Sequence, residues 1–262
     1  MPKIKKPVKV SIIIPTLNEQ SYLRKLLDDI KSQRIDDKLC SEIEIIVADG
    51  HSKDKTRQIA KSYGAKIVDG PYHPGIGRNN GAKVARGEII YFMDADILLK
   101  DNSFIQKTLK EFITKKLDCA TVPQLPFFNK KVGRDKKNFI TGLFIMSNIL
   151  VELNRKSRPR ATATCMILRK KSFLKVKGFD PRIYWGEDSE LAERMFKKKY
   201  KYGIIRSMYV YISPRKVFKH GTGRFFWNAI KLDIYRTQFG EIYSKEQYRQ
   251  IASINDYFAL KK

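Results

Sequence analysis

A chain of 262 residues with 42% apolar content is long enough for one large α/β domain or two small ones, and it can fill a sizeable core. Its 53 Lys and Arg against 27 Asp and Glu leave a formal charge of +26, which excludes indifference to anions and calls for nucleic acid, acidic lipid or a phosphorylated substrate. The three cysteines, Cys40, Cys119 and Cys165, lack the paired spacing of a zinc site or a disulfide framework and fit a reducing compartment. The apolar run at 10–14 is too short for a signal segment, and no stretch approaches the ~20 apolar residues that span a bilayer.

In chain order, residues 8–14 are rich in β-branched side chains and stop at Pro15, which predicts a strand. Residues 22–30 space Leu23, Leu26, Leu27 and Ile30 as an amphipathic helix, whose start Asn18 or Ser21 would cap. Strands follow at 43–48 and 65–68, with helices at 54–63, which Asp54 would cap, and at 76–85. The apolar run 89–93 predicts a buried strand over 88–93 that ends in Asp94-Ala95-Asp96. This βαβα order implies a mostly parallel open sheet with right-handed crossovers and helices on both faces. Beyond Leu99 the alternation loosens into helices at 104–113, 171–176 and 189–198 and strands at 119–122, 164–168, 202–205 and 209–212. No repeat or linker interrupts the chain, so a single domain over 1–262 is expected.

Two carboxylates at the end of a buried strand are more than a turn signal. Open α/β sheets bind ligands at the carboxyl ends of their strands, and hard oxygen donors there suit Mg²⁺ or Mn²⁺ with a diphosphate. A capped loop after the strand is the alternative. The first strand ends in Pro15-Thr16-Leu17-Asn18-Glu19 and the second in Asp49-Gly50-His51-Ser52, so three strand ends present polar groups to one crevice. Gly50 lets a ligand approach Asp49. Gly75-Ile76-Gly77-Arg78-Asn79-Asn80-Gly81 opens a helix and carries an arginine whose fork suits phosphate, without the spacing of a dinucleotide fingerprint or a phosphate loop.

The ordered set Ser11-Ile-Ile-Ile-Pro-Thr-Leu-Asn-Glu19, Ile46-Val-Ala-Asp-Gly50, Gly77-Arg-Asn-Asn-Gly81, Gly87-Glu-Ile-Ile-Tyr-Phe-Met-Asp-Ala-Asp96, Gly178-Phe-Asp180 and Gly186-Glu-Asp-Ser-Glu-Leu191 resembles family 2 glycosyltransferases of the GT-A fold over residues 8 to about 200. The resemblance implies an inverting transfer of sugar from a nucleotide diphosphate donor. It assigns Pro15, Thr16, Asn18, Glu19 and Asp49 to the base and ribose pocket, and Arg78 to the nucleotide or its diphosphate. Asp94 would touch ribose or the metal shell, and Asp96 would ligate a divalent cation, Mn²⁺ or Mg²⁺. Asp188, beside Glu187, would be the general base that deprotonates the acceptor. Trp185 would stack on the acceptor sugar or lie buried, and His220 would be a third metal ligand or a turn residue. Residues 1–100 would then hold the donor, 101–220 the acceptor and catalytic groups, and 221–262 a C-terminal helical segment. The chain lacks the Gln-x-x-Arg-Trp motif of processive synthases, which points to single-sugar transfer.

Residues 139–153 are mostly apolar, interrupted by Thr141, Ser147, Asn148 and Glu152, with Lys130, Lys131, Arg134, Lys136 and Lys137 before them and Arg155, Lys156, Arg158 and Arg160 after. Such a segment either lies in an anionic membrane surface or forms a core helix with basic ends. Phe225, Phe226 and Trp227 beside Arg224 would add to the same surface. A lipid phosphate or glycan acceptor at the inner face of a membrane, in the cytoplasm, is the expectation, with no nucleic acid as partner. A basic nucleic-acid-binding protein is the rival from charge alone, and a nucleotide-binding relative without turnover is the second rival.

Overall fold

The computed structural model describes residues 7–71, 73–128 and 131–252. Lys3 to Lys6, Lys130 and residues 253–262 of the expected C-terminal segment lie outside them. Strand and helix alternate through β1 (Val8–Thr16), α1 (Gln20–Lys31), β2 (Cys40–Asp49), α2 (Thr56–Ser62), β3 (Lys66–Asp69), α3 (Pro74–Val84) and β4 (Ile89–Met93). There follow β5 (Ile97–Leu98), α4 (Phe104–Thr114), β6 (Cys119–Thr121), β7 (Gln124–Pro126), α5 (Arg134–Leu153), a 3-10 turn (Asn154–Lys156), β8 (Cys165–Arg169), α6 (Lys170–Lys175) and α7 (Glu187–Lys197). The last elements are β9 (Tyr202–Ile204), β10 (Val210–Ile212), α8 (Arg215–His220), α9 (Thr222–Phe239) and α10 (Lys245–Ala252). Every strand and helix expected from the periodicity is present, with its ends moved by a few residues.

Among the described residues the main sheet runs β3-β2-β1-β4-β8-β6-β9. Strands β3, β2, β1 and β4 are parallel, so their carboxyl ends form one edge. Strand β8 runs antiparallel to both β4 and β6, which the loosened alternation after Leu99 did not specify. A small second sheet, β5-β10-β7, crosses beyond the end of β4. Successive side chains of β1 face opposite ways, as the strand period requires. Ile12 and Ile14 join the core under α1, α2 and α4, whereas Ile13 joins the core under α3, α6 and α7. Ile12, Ile13 and Ile14 are fully buried, and full burial of each such side chain contributes roughly 1.5–3 kcal/mol.

The expected caps fall differently. Helix α1 begins at Gln20 after Glu19 with no side-chain cap from Asn18 or Ser21. Its first N–H groups are satisfied from the neighbouring loop instead: Glu19 N–H donates to Thr56 Oγ1 (2.8 Å) and Gln20 N–H to Asp54 Oδ2 (3.1 Å). Asp54 also accepts from Thr56 N–H (2.9 Å), so one carboxylate serves the starts of α1 and α2 together. That shared cap holds the loops after β1 and β2 side by side.

Candidate active site

The donor side is built from the ends of β1 and β2. Asp49 is fully buried and accepts from Thr16 Oγ1 (2.9 Å), Ser52 N–H (2.9 Å), Ser52 Oγ (2.6 Å) and Arg57 (3.1 Å). Burial alone would raise this carboxyl, but the Ser52, Thr16 and Arg57 bonds outweigh it and hold it below the ordinary aspartate value. Pro15, Thr16, Leu17, Glu19, Asp49 and Gly50 line a cavity of about 480 Å³. Asn18 does not line it. Its N–H donates to Ser52 Oγ (2.9 Å) and its Oδ1 accepts from Lys53 N–H (2.8 Å), so it ties the two loops together from behind.

Asp94 and Asp96 stand on the same cavity wall, and each is paired with an arginine. Arg78, 3% exposed, donates to Asp94 (2.7 Å) and to Glu187 (2.9 Å) while its guanidinium lies over the Phe179 ring at 5.6 Å. Phe92, Phe173 and Phe179 stack beneath it with centroids 5.2 to 5.6 Å apart. The arginine expected to reach for phosphate thus bridges the acidic pair to the acids of α7. Arg215, which the sequence reading did not single out, donates to Asp96 Oδ2 (2.9 Å) and Glu19 Oε1 (2.6 Å) and lies over the Tyr22 ring at 4.6 Å. Burial pushes the carboxyls of Asp96 and Glu19 up, and Arg215 pulls both back without cancelling that effect.

His220 does not join the acidic pair. It sits at the C-terminal end of α8, outside the cavity lining, whose first turn places Arg215, Lys216 and Val217 in the wall. The histidine that lines the cavity is His73, before α3: its Nδ1 accepts from Ile76 N–H (3.4 Å) and its Nε2 donates to the Ile183 carbonyl (2.9 Å). Burial holds His73 below the usual histidine value, in keeping with that neutral tautomer. Its position directly before the helical Pro74 was the available signal for a capping role. Among the described residues no three His, Cys, Asp or Glu side chains converge as a metal cluster. Asp94 and Asp96 nevertheless fit a cation of the Mg²⁺ type, which takes one or two carboxylates and completes its shell with water and phosphate oxygens. Glu19 Oε2, buried beside Asp96 without a hydrogen-bond partner, adds unspent acceptor capacity to that wall.

The opposite wall is the start of α7. Gly186 precedes the helix at φ +83°, and a Cβ there would come within 3.3 Å of Arg236 Cδ. That turn presents Glu187 and Asp188 together. Glu187 is 8% exposed and engaged by Arg78, so it acts as an anchor. Asp188 accepts from Ala163 N–H (2.8 Å) and Ser189 N–H (2.7 Å). Burial and then the charge of Glu187 push its carboxyl up to about 6, against the pull of those N–H groups and Arg78. Trp185 lines the cavity, pairs with Ile242 as an isolated bridge, and packs with Leu232 and Tyr248, so it is wall and core at once. Arg236, 1% exposed, supports the turn from beneath through Glu193 and Glu241 (3.2 Å).

The cavity continues as an apolar arm between α5 and α9, lined by Leu143, Met146 and Leu150 from one helix and Phe226, Ile230 and Ile234 from the other. Helix α5 buries only Ile140 and Phe144 and exposes Phe139, Met146, Ile149 and Leu153, so it is not a core helix. Phe225 and Phe226 pack inward against α5, with Phe144 and Phe226 centroids 5.7 Å apart, whereas Trp227 is exposed. Among the described residues no helix is long and apolar enough to cross a membrane.

The sequence profile of Glycosyl transferase family 2 matches residues 11–176, more than half of the chain. The minor teichoic acid biosynthesis protein GgaB of Bacillus subtilis is 27% identical over 203 residues, 75% of this chain and 22% of that protein. The O-antigen chain rhamnosyltransferase RfbN of Salmonella typhimurium is 26% identical over 226 residues, 81% of this chain and 70% of RfbN. The match to the poly(ribitol-phosphate) β-N-acetylglucosaminyltransferase TarS of Staphylococcus aureus covers 34% of this chain and 16% of TarS. The sequence matches thus span under a quarter of the length of GgaB and of TarS. In fold it resembles the mannosyltransferase PcManGT of Pyrobaculum calidifontis, solved with GDP-Man and Mn²⁺, at a TM-score of 0.66 and 18% identity over 99% of this chain and 72% of that one. It also resembles TarS residues 1–349 solved with UDP, at a TM-score of 0.58 and 19% identity over 93% and 69%. With the acidic pair closing β4, the Gly-Glu-Asp turn opening α7 and the profile spanning the strands between them, the chain belongs to glycosyltransferase family 2 and has the GT-A fold.

Proposed function

We propose that this protein moves a single sugar, with inversion, from a nucleoside diphosphate donor to the hydroxyl or phosphate of an amphiphilic acceptor, most simply a lipid phosphate. The observation that carries the reading is one cavity with two unlike linings, the polar groups of Asp49, Asp94 and Asp96 and the apolar side chains of α5 and α9, with Asp188 lining the same cavity. Thr16 and Asp49 hold the nucleoside, and Asp94 and Asp96 would hold a divalent cation. When bound, such an ion offsets the charge that builds on the departing diphosphate. Asp188 takes the proton from the acceptor, and its raised pKa suits a base that works near neutrality. Arg78 keeps Asp94 and Glu187 in register, and Trp185 borders the sugar. The GDP-Man and UDP complexes of the fold relatives, and Mn²⁺ in PcManGT, support the donor and ion classes.

A thermal-shift panel of UDP-, GDP- and dTDP-sugars with and without Mn²⁺ tests this reading. One nucleotide class is expected to raise Tm, and more so with the ion; a ligand at a hundredfold excess over its Kd adds about 2.7 kcal/mol. Asp96→Ala is expected to lose the ion-dependent part of the shift. Silence across the whole panel, with Mn²⁺ present, would refute the assignment.

A further inference from the structure

Arg215, at the start of α8, rather than His220 at its end, is the residue that faces the acidic pair. Its guanidinium is the cation that Asp96 and Glu19 share, at 2.9 and 2.6 Å, and it is held flat against Tyr22 at 4.6 Å. Two carboxylates buried to this degree need a counter-charge at all times, because an unpaired buried charge is strongly unfavourable. In the ligand-free protein Arg215 supplies it. A divalent cation at Asp96 would put two positive groups on one carboxylate, and Glu19 Oε2 is already a buried oxygen without a donor. Arg215 opens α8 directly after Ser213-Pro214, on the cavity wall beside Lys216. Its fork has the geometry that binds phosphate oxygens in pairs.

We infer that Arg215 is an exchangeable counter-ion: it occupies the acidic wall in the absence of ligand, competes there with the divalent cation, and moves to the donor diphosphate when cation and donor bind together. The exchange conserves charge, because the two charges of the metal balance Asp96 and the neighbouring Glu19 together, while the diphosphate brings the negative groups that Arg215 then needs. Metal and donor therefore bind cooperatively, and the metal alone binds weakly. This inference rests on the proposed donor site.

Mn²⁺ binding, followed by loss of the free-ion electron paramagnetic resonance signal, tests it without any turnover. The wild type is expected to bind Mn²⁺ weakly, and to bind it about tenfold or more tightly in the presence of UDP or GDP, within the usual range of coupling between sites. Arg215→Gln should bind Mn²⁺ about tenfold more tightly than the wild type without nucleotide, and should lose most of the nucleotide-induced gain. Arg215→Lys, which keeps the charge without the fork, covers the case in which the glutamine variant does not fold: it should retain weak Mn²⁺ binding and show a smaller nucleotide gain. Equal Mn²⁺ affinity in wild type and Arg215→Gln, with the nucleotide gain intact in both, overturns the exchange and leaves the donor site standing. No Mn²⁺ binding in any protein, with or without nucleotide, overturns the metal site and the exchange with it.

Discussion

A carboxyl held at about 6 by burial and by the neighbouring Glu187 can accept an acceptor's proton and release it to solvent near neutral pH. The same shift has a consequence for stability. Asp188 binds its proton more tightly folded than unfolded, so its contribution is complete below the unfolded aspartate value near 3.8 and is lost as pH rises through about 6. Asp188→Asn removes that ionisation while keeping an acceptor for the Ala163 N–H. The variant is expected to melt higher than the wild type above pH 6, by an advantage that grows between pH 4 and 6 and then levels off. Differential scanning calorimetry across pH 4 to 8 reads it, and a flat difference would show that Asp188 ionises normally. Transfer should fall roughly 10²–10⁴-fold in the same variant with donor binding retained. Wild-type kcat/KM should rise with pH through about 6, since only the ionised carboxylate is a base.

At the scale of elements, helix α3 is the part whose placement fixes the rest, because Arg78 on its surface joins β4 to α7. The helix sits close on the sheet at Gly81, where a Cβ would lie 2.5 Å from Ile13 Cγ2 in a fully buried contact. Gly81→Ala should therefore push α3 off β1 and cost about 1–3 kcal/mol, seen as a lower urea midpoint at unchanged slope. Arg78 would move with it, so transfer should fall more than stability alone explains; an unchanged midpoint would mean the contact is looser than its geometry. The sheet around this helix was readable in the residues because β1, β2 and β4 are dense Val and Ile runs that have one stable place, buried between two helical layers. Strands β5 and β7 are two and three residues long and carry no period to read, yet they pair with β10, after which Ser213 N–H donates to the Asp96 carbonyl (3.0 Å). Most of the site was legible for a related reason: Thr16, Asp49, Asp94, Asp96 and Asp188 sit at the ends of regular elements. Arg215 was not, since its partners Glu19 and Asp96 lie 196 and 119 residues away and nothing local marks an arginine that will be buried against them. His220 misled because a histidine at a late turn has a plausible role, and only the packing of α8 turns Arg215 rather than His220 toward the acids.

For the molecule as a whole, a net charge of +26 opposes compaction and implies a partner field that offsets it. The apolar stripes lie among that charge. Phe139, Ile149 and Leu153 on α5 are 52% to 72% exposed, with Arg134, Lys136 and Lys137 at the head of the same helix. Helix α9 adds exposed Trp227 and Ile234 with Arg224 and Lys231. Large exposed apolar side chains flanked by lysine and arginine match the physics of an anionic bilayer surface, where each basic residue contributes about 1 kcal/mol and each inserted apolar side chain roughly 1.5–3 kcal/mol. The apolar arm of the cavity opens between these same two helices, so a surface-bound orientation would let a lipid-linked acceptor reach Asp188 without leaving the membrane. The protein is accordingly expected to float with vesicles containing phosphatidylglycerol, to float less in high salt, and to stay behind with phosphatidylcholine alone. Ile149→Asp with Leu153→Asp should weaken flotation by about a hundredfold, or about 3 kcal/mol, while leaving the nucleotide thermal shift intact, because neither residue lines the cavity. A protein that ignores anionic vesicles would place the charge in the service of a soluble anionic acceptor instead, and a double variant that floats like the wild type would remove Ile149 and Leu153 from the membrane contact.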